Sequence, residues 1–400
     1  MSAESLDQIF ITLKHTILGV LAKLLPEWAL PLASAAISIS AILMVFPLVF
    51  ALTTVVERKV LGRIQNRPGP NRVGIPFTNI RLAGFGQFIA DGLKALIKED
   101  VVPRNADKVV HFLAPLALVI PVLLAYAVLP VGRGMTALDL DAGLLFFFAV
   151  GSATELSVFM AGWSSRNKYA LLGALRAIAQ MVSYELPLIL STIGVVMITG
   201  TLSTTKIVEA QAGGFWHWHA MTPWGLAGFL LFLIAATAEA NRTPFDLPEA
   251  ESEIIAGYFT EYSGFKFALF FLGEYLGLFV MSGMAITLFL GGWHAPLPAL
   301  AVVPSWAWFF LKLGAFILFF IWLRGTLPRL RADQLMNLAW KFMLPLVLIN
   351  ILAAGLWRFL EPGATRCLAV TALVVAPYLL LGHALGAARG IGKRTYRYAE

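Results

Sequence analysis

Long uncharged apolar runs alternate with short charged segments along almost the whole chain. Crossing a bilayer takes about 20 apolar residues. Runs of that length fall at 29–56, 109–132, 142–163, 169–200, 220–240, 266–293, 300–323, 339–360 and 367–388. The pattern predicts nine transmembrane helices in an all-α polytopic membrane fold. The fourth run is the least regular, because Arg176 and Glu185 lie inside it. Residues 5–25 cannot span, since Lys14 and Lys23 interrupt them. Ile9, Leu13, Ile17, Val20 and Leu24 fall near one helical face there, which predicts a short interfacial helix, with a soluble amphipathic cap as the alternative. A second amphipathic stretch, Phe85 to Glu99, interleaves Phe88, Leu93, Leu96 and Ile97 with Asp91, Lys94 and Lys98. It predicts a helix lying on the membrane surface.

Composition agrees with the pattern. Hydrophobic residues make up 59% of the 400-residue chain and charged residues 13%, too little charge to cover a soluble surface. The net charge of +7 is not a nucleic-acid signal, because the basic residues gather on one side of the spans. Arg58, Lys59, Arg63, Arg67, Arg72, Arg104, Arg166, Lys168, Arg242, Arg324, Arg329, Arg331 and Arg394 share that side, against Arg133, Lys206 and Arg366 on the other. The positive-inside rule then puts the N-terminus outside and the C-terminus in the cytoplasm. Trp216, Trp218, Trp224, Trp293 and Trp306 fall near the outer ends, as an aromatic belt does. Glu4 and Asp7 stand where a cleavable signal carries basic residues. The single Cys367 excludes an internal disulfide and a cysteine-ligated cluster within the chain.

The candidate chemistry lies in charges at membrane depth. Glu57 closes the first span, and Glu155, Glu185 and Glu274 lie within the third, fourth and sixth. Glu239 ends the fifth, and Lys312 lies in the seventh. Such groups are costly in hydrocarbon and mark ion or proton pathways, so a carboxylate proton relay is the functional expectation. The plainer reading pairs Glu57 with Arg58, and Glu239 with Arg242 three positions on, as neutralised interface pairs. Lys312 is too far from the inner end at Leu323 to snorkel, and calls for an acid or water beside it. Pro187 frees the carbonyl of Ser183 next to Glu185, giving a polar, hydratable spot or simply a packing kink. His217 and His219 form an HxH between tryptophans, where interfacial anchoring outweighs metal binding.

The densest acidic cluster follows the fifth run. Glu239, Asp246, Glu249, Glu251 and Glu253 fall within one loop, with Glu261 beyond. Asp246 and Glu249 fit a capping box, with Pro248 in the first helical turn, but capping accounts for only two of these acids. The first inner loop complements it: Arg58, Arg63, Arg67 and Arg72 surround a rigid Pro-Gly-Pro turn. Such arginines contact lipid headgroups, pair with the acidic loop, or donate to a quinone carbonyl. The chain holds no glycine-rich phosphate loop, dinucleotide fingerprint or metal-spaced Cys/His set. Electrons for any redox reaction must come from partner subunits.

Several ordered blocks resemble one family. Glu57-Arg58-Lys59-Val60-Leu61-Gly62-Arg63, Asn66 to Gly74, Asp91-Gly92-Leu93-Lys94, Gly173-Ala174-Leu175-Arg176-Ala177 and Ser183-Tyr184-Glu185 carry the likeness. So do Glu239 to Glu253, Glu274-Tyr275, and Pro328-Arg329-Leu330-Arg331. Over about residues 30–360 the chain resembles the H subunit of bacterial NADH-quinone oxidoreductase (respiratory complex I), whose mitochondrial counterpart is NADH dehydrogenase subunit 1. The resemblance implies eight spans and a quinone chamber, formed where this membrane chain meets peripheral-arm subunits carrying the terminal iron–sulfur cluster. NADH, FMN and iron–sulfur clusters then belong to partner subunits, and quinone is the substrate. The buried acids lead toward antiporter-like membrane subunits. Carried over, Arg58, Arg67, Asp91, Arg324 and Arg329 are chamber candidates. Asp246, Glu249, Glu251, Glu253 and Glu261 are coupling-loop acids, and Glu57, Glu155, Glu185, Glu239, Glu274 and Lys312 are relay candidates.

The chain departs from that pattern in three places: a long N-terminal segment, a ninth span, and Glu155 where the commoner members carry an apolar residue. The expected division is an N-terminal interfacial segment at 1–27, a family-like membrane core at 28–363, and an additional C-terminal helix with a basic tail at 364–400. The expected location is the bacterial inner membrane. Competing readings are the equivalent subunit of a membrane-bound hydrogenase or other donor dehydrogenase, a stand-alone ion transporter, and a structural anchor for the peripheral arm. A transporter predicts internal inverted repeats, and none is evident in the sequence.

Overall fold

The computed structural model describes residues 7–23, 25–74, 83–247 and 256–388. Its regular structure among these is helical throughout: α1 Ile9–Leu21, α2 Leu30–Ile64, α3 Gln87–Ile97, α4 Lys108–Ala125, α5 Gly143–Gly151, α6 Ala153–Ser164, α7 Lys168–Thr199, α8 Thr204–Glu209, α9 Pro223–Glu239, α10 Gly264–Phe289, α11 Ser305–Thr326, α12 Ala332–Asn337, α13 Leu344–Phe359 and α14 Ala364–Ala388. A π-helical stretch, Leu338–Met343, joins α12 to α13. α5 and α6 run on as one span.

Each of the nine apolar runs holds a helix. Eight are long and apolar enough to cross a membrane. The run at 220–240 is the exception, because α9 has only 17 residues. At 1.5 Å per residue it reaches about 26 Å, short of a hydrocarbon core of about 30 Å. The run overstates the helix because Thr222 caps it: its hydroxyl accepts from Gly225 N at 3.2 Å, and Pro223 fills the first turn. α2 errs the other way. It continues past the run, through Glu57 and Arg58 to Ile64, since straight-chain charged residues are good helix formers. The amphipathic stretches form α1 and α3, each shorter than the sequence pattern by a few residues.

The span at 142–163 is broken at Ser152, a position with no proline. Ser152 keeps helical backbone angles, φ −57° and ψ −25°, and its Oγ lies 3.0 Å from Phe148 O, a local bond that competes with the helix ladder. The break matters because Glu155 lies one turn beyond.

α10 is the most enclosed span, with 72% of its apolar window buried, against 6% for α2 and for α14. Its Phe279 and Phe289 are fully buried, as are Phe232 of α9 and Phe309 of α11 beside it. Small residues set the closest approaches. A Cβ on Gly162 would lie 2.3 Å from the Ala174 Cβ, so α6 and α7 touch backbone to backbone there. Gly173 meets Gly257 in the same way, at 2.7 Å from its Cα. These contacts pin α7 against α6 and against the segment leading into α10.

Candidate functional site: a buried carboxylate cluster and cavity

Four elements converge on Glu57. The side chain is buried in the C-terminal part of α2. Arg324, from the last turn of α11, is ion-paired to it. Tyr275 of α10 donates its hydroxyl to Glu57 Oε2 at 2.6 Å. Arg242, just past α9, sits 4.0 Å from Glu57 Oε1, with its guanidinium 3.9 Å above the Tyr275 ring. A carboxylate in hydrocarbon is tolerated only when charge and hydrogen bonds replace its lost water, and these three partners do so. The neutralising pair Glu57–Arg58 expected from adjacency does not form. Adjacent helical residues point 100° apart, so Arg58 instead reaches Asp91 of α3 at 2.7 Å. Asp91 also accepts from Gln87 Nε2 at 3.0 Å.

The segment after α9 is clamped from several sides. Arg329 Nη2 lies 3.1 Å from the buried carboxylate of Asp246. Leu330 N donates to Pro244 O at 3.0 Å. From α7, Gln180 Nε2 reaches Ala238 O and Phe245 O, both at 2.7 Å, and Asn241 Oδ1 at 3.2 Å. Asn241 takes a left-handed φ of 49°, a conformation Asn accepts more readily than most residues. That turn aims Glu239 and Arg242 apart, so the expected Glu239–Arg242 pair does not form either. Glu261 accepts from Asn167 Nδ2 at 2.7 Å. Beside it, burial pushes the Tyr262 phenol up to about 12. Arg67 stands apart on the exposed turn, bonded to Gln65. Glu249, Glu251 and Glu253, with the expected capping box, lie outside the described residues.

Deeper in, the remaining acids gather. The single Ser152 hydroxyl proton is shared between Phe148 O and Glu185 Oε1, both within reach of its Oγ. The carboxyl of Glu155 lies within hydrogen-bonding reach of Glu185, and Glu239 within electrostatic range of both. Glu239 and Glu274 both line a cavity of about 60 Å³, with Thr154, Asn241 and Tyr258 in its wall. Tyr258 donates to Glu274 Oε1 at 3.0 Å. At roughly 10–15 Å³ of such space per water, the cavity holds a few waters. Glu274 is ten residues into α10, about 15 Å deep, near the bilayer middle. Glu239 Oε2 and Glu155 Oε1 have no hydrogen-bond partner among the described residues, which leaves them free to bond to water.

Lys312 corrects the expectation from sequence. Among the described residues its partners are backbone carbonyls rather than an acid. The ammonium donates to Leu290 O at 2.7 Å, Gly292 O at 2.8 Å and His294 O at 2.8 Å, and lies 4.2 Å over the Trp218 ring. These carbonyls follow the C-terminus of α10, where the helix dipole favours a cation. His219, of the HxH pair, is buried near Trp224, while His217 packs at Gly213. Burial pushes the His219 imidazole down to about 4.

Known proteins share this framework. A family model described as NADH dehydrogenase matches residues 37–355. The chain is 52% identical to the NADH-quinone oxidoreductase H subunit of Dehalococcoides mccartyi strain CBDB1 over 306 residues, 76% of this chain and 82% of the relative. It is 48% identical to the H subunit of Geobacillus kaustophilus over 306 residues, 76% of this chain and 88% of the relative. Against the H subunit of Anoxybacillus flavithermus it is 46% identical over 331 residues, 83% and 96% of the two chains. The chain belongs to the NADH-quinone oxidoreductase H-subunit family.

Within this member of the H-subunit family, the sequence singles out the acids but not the groups that hold them. Tyr275, Tyr258, Gln180, Ser152 and Asn241 escape sequence reasoning, and Arg242 enters it only as a topology signal and a partner for Glu239. An uncharged polar residue inside an apolar run, such as Gln180, is the available clue. The family match begins at residue 37 and ends at 355, so α1 and α14 lie beyond it.

Proposed function

We propose that this chain is the membrane-arm subunit of a proton-pumping NADH-quinone oxidoreductase that helps form the quinone chamber and couples quinone reduction to proton translocation. The observation that carries the reading is the continuity of the acidic constellation. It runs from Glu57 and Asp246 at the basic side to Glu239 and Glu274 on the cavity wall, with Glu185 and Glu155 in electrostatic range of Glu239. The Arg58–Asp91 pair and Arg324 and Arg329 line the inner rim, where quinone meets the partner subunits. Partner subunits of the peripheral arm deliver electrons from NADH through FMN and iron–sulfur clusters. Quinone takes two electrons and two protons there, and the charge change acts on Asp246 and the loop acids that follow. Antiporter-like subunits receive the protonic signal beyond Glu274. The chain sits in the bacterial inner membrane with its N-terminus outside and C-terminus in the cytoplasm, and divides into the 1–27, 28–363 and 364–400 segments.

The test is made on the isolated assembly. Glu57→Gln and Glu239→Gln are introduced singly, assembly is verified, and NADH-driven reduction of a short-chain quinone is measured with proton uptake into proteoliposomes. Glu57→Gln weakens its charge-assisted bonds, worth about 1.5–3 kcal/mol each, and is expected to lower turnover. Glu239→Gln is expected to stop proton translocation. Parental turnover and parental protons per electron in both variants would refute the proposal.

A further inference from the structure

A second cavity lies away from the carboxylates. It has a volume of about 370 Å³, at the low end of the roughly 300–1,000 Å³ of small-molecule sites. α1 roofs it, the first half of α2 floors it, and the loop after α4 with the start of α11 closes one end. Phe10, Ile17, Ile42, Val45, Leu129 and Phe310 are among its walls. α1 is fixed over it at several points. Asp7 accepts from Ser305 N, Phe10 stacks edge-on against Trp306 at 5.5 Å, and Lys14 Nζ donates to Ser38 Oγ at 2.9 Å. No residue of α1 is buried, so the helix is a strap over a void rather than part of the core.

We infer that this cavity is a lipid site that takes an acyl chain of an anionic phospholipid, its phosphate held by Lys14. Three observations select that occupant. First, the walls are almost wholly hydrocarbon, so water gains too few hydrogen bonds to fill a space of this size. Second, Lys14 lines the cavity, and among the described residues its amine meets a hydroxyl and no carboxylate. A phosphate is the complement of that unneutralised charge. Third, α1 is 13 residues long, about 20 Å, so one chain can lie lengthwise beneath it. The sequence places this face at the outer leaflet, away from the quinone rim. The family model starts at residue 37, so the strap itself is outside the shared core. The inference does not depend on the proposed relay.

The test uses the intact assembly reconstituted in phosphatidylcholine nanodiscs with a few mole per cent of a phosphatidylglycerol bearing a photoreactive acyl chain. Cross-links are mapped by mass spectrometry. Labelling is expected on α1 and on the Ile37–Phe46 face of α2, competed by unlabelled phosphatidylglycerol but not by phosphatidylcholine. Lys14→Glu is expected to weaken it at least fivefold, and Ala41→Phe, which fills the floor, to abolish it. Equal labelling by a photoreactive phosphatidylcholine, unaffected by Lys14→Glu, overturns the site as ordinary annular lipid. Displacement of the label by a long-tailed quinone but not by phosphatidylglycerol overturns the occupant. Should Ala41→Phe fail to assemble, the Lys14→Glu comparison decides alone.

Discussion

Lys312 separates a structural from a protonic role, and its geometry sets the size of the effect. The ammonium lies about 10 Å along α11 from its first residue. It is buried and satisfied by three backbone carbonyls at 2.7, 2.8 and 2.8 Å. Two of the residues in that turn, Gly291 and Gly292, have φ of 69° and 49°. The loop after α10 is therefore wound around the lysine. Lys312→Met keeps the aliphatic stem and removes the donor. The variant leaves three buried carbonyls unsatisfied, and some of that loss is offset because no ammonium needs desolvating. A net loss of about 1–3 kcal/mol is expected, the range for leaving buried polar groups unsatisfied. The assay is thermal release of the chain from the isolated assembly, followed by native electrophoresis, with proton translocation per electron measured well below the transition. The transition is expected to fall while the ratio stays parental. Unchanged thermal stability with lost translocation refutes the clamp and returns Lys312 to the relay.

Three further outcomes are expected. Tyr275→Phe deletes the 2.6 Å bond to Glu57 while keeping the ring beneath Arg242, so it destabilises the cluster by about 1.5–3 kcal/mol, read as a lower thermal transition. Glu155→Gln removes one of the two carboxyls that meet beside Ser152, and is expected to slow proton translocation more than NADH oxidation by artificial acceptors; equal rates in both assays exclude Glu155 from the path. His219 gives a pH dependence. Burial holds its folded value near 4 against an ordinary 6.5, so the unfolded chain binds the proton first as pH falls. Stability is then lost between pH 6.5 and 4 and levels off below, by about 3 kcal/mol in all. His219→Gln is expected to flatten the thermal transition over that window.

The fold was legible because hydrocarbon imposes a length rule. All nine runs hold helices, and the extra C-terminal one is α14. What periodicity could not show was where a helix ends inside a run. Thr222 and Pro223 shorten α9, and the third span is broken at Ser152, where a local hydroxyl bond leaves no mark on hydropathy. The acids were legible for a related reason, since a carboxylate in an apolar run needs an explanation. Their partners were not, because they come from distant segments. Glu57 and Arg324 are 267 positions apart, and nearest-neighbour pairing points to Arg58 instead. The sequence places Lys312 correctly in its helix but suggests the wrong kind of partner. Sequence inspection counts side-chain acids, whereas the helix end supplies backbone carbonyls.

The structure ties the arginine-bearing rim to the deep cavity through one short stretch. Glu239 lines the cavity, Arg242 leans on Glu57 and Tyr275, and Asp246 pairs with Arg329. These three residues span eight positions of one segment, whose turns are braced by Arg242 N to Thr237 O at 3.2 Å and Phe245 N to Arg242 O at 2.8 Å. Gln180 holds both ends of that segment to α7, the same helix that carries Glu185. A charge introduced near Asp246, as the proposed function has quinone reduction do, therefore acts beyond the rim. On the proposed function, it changes the balance among Arg329, Arg242 and Glu57, and the braced segment carries that change to Glu239. Differential stabilisation of two arrangements of this segment is all that coupling requires. The relay need not be a continuous wire of titrating groups from quinone to cavity. On this reading, one braced segment with a carboxylate at each end serves both sites.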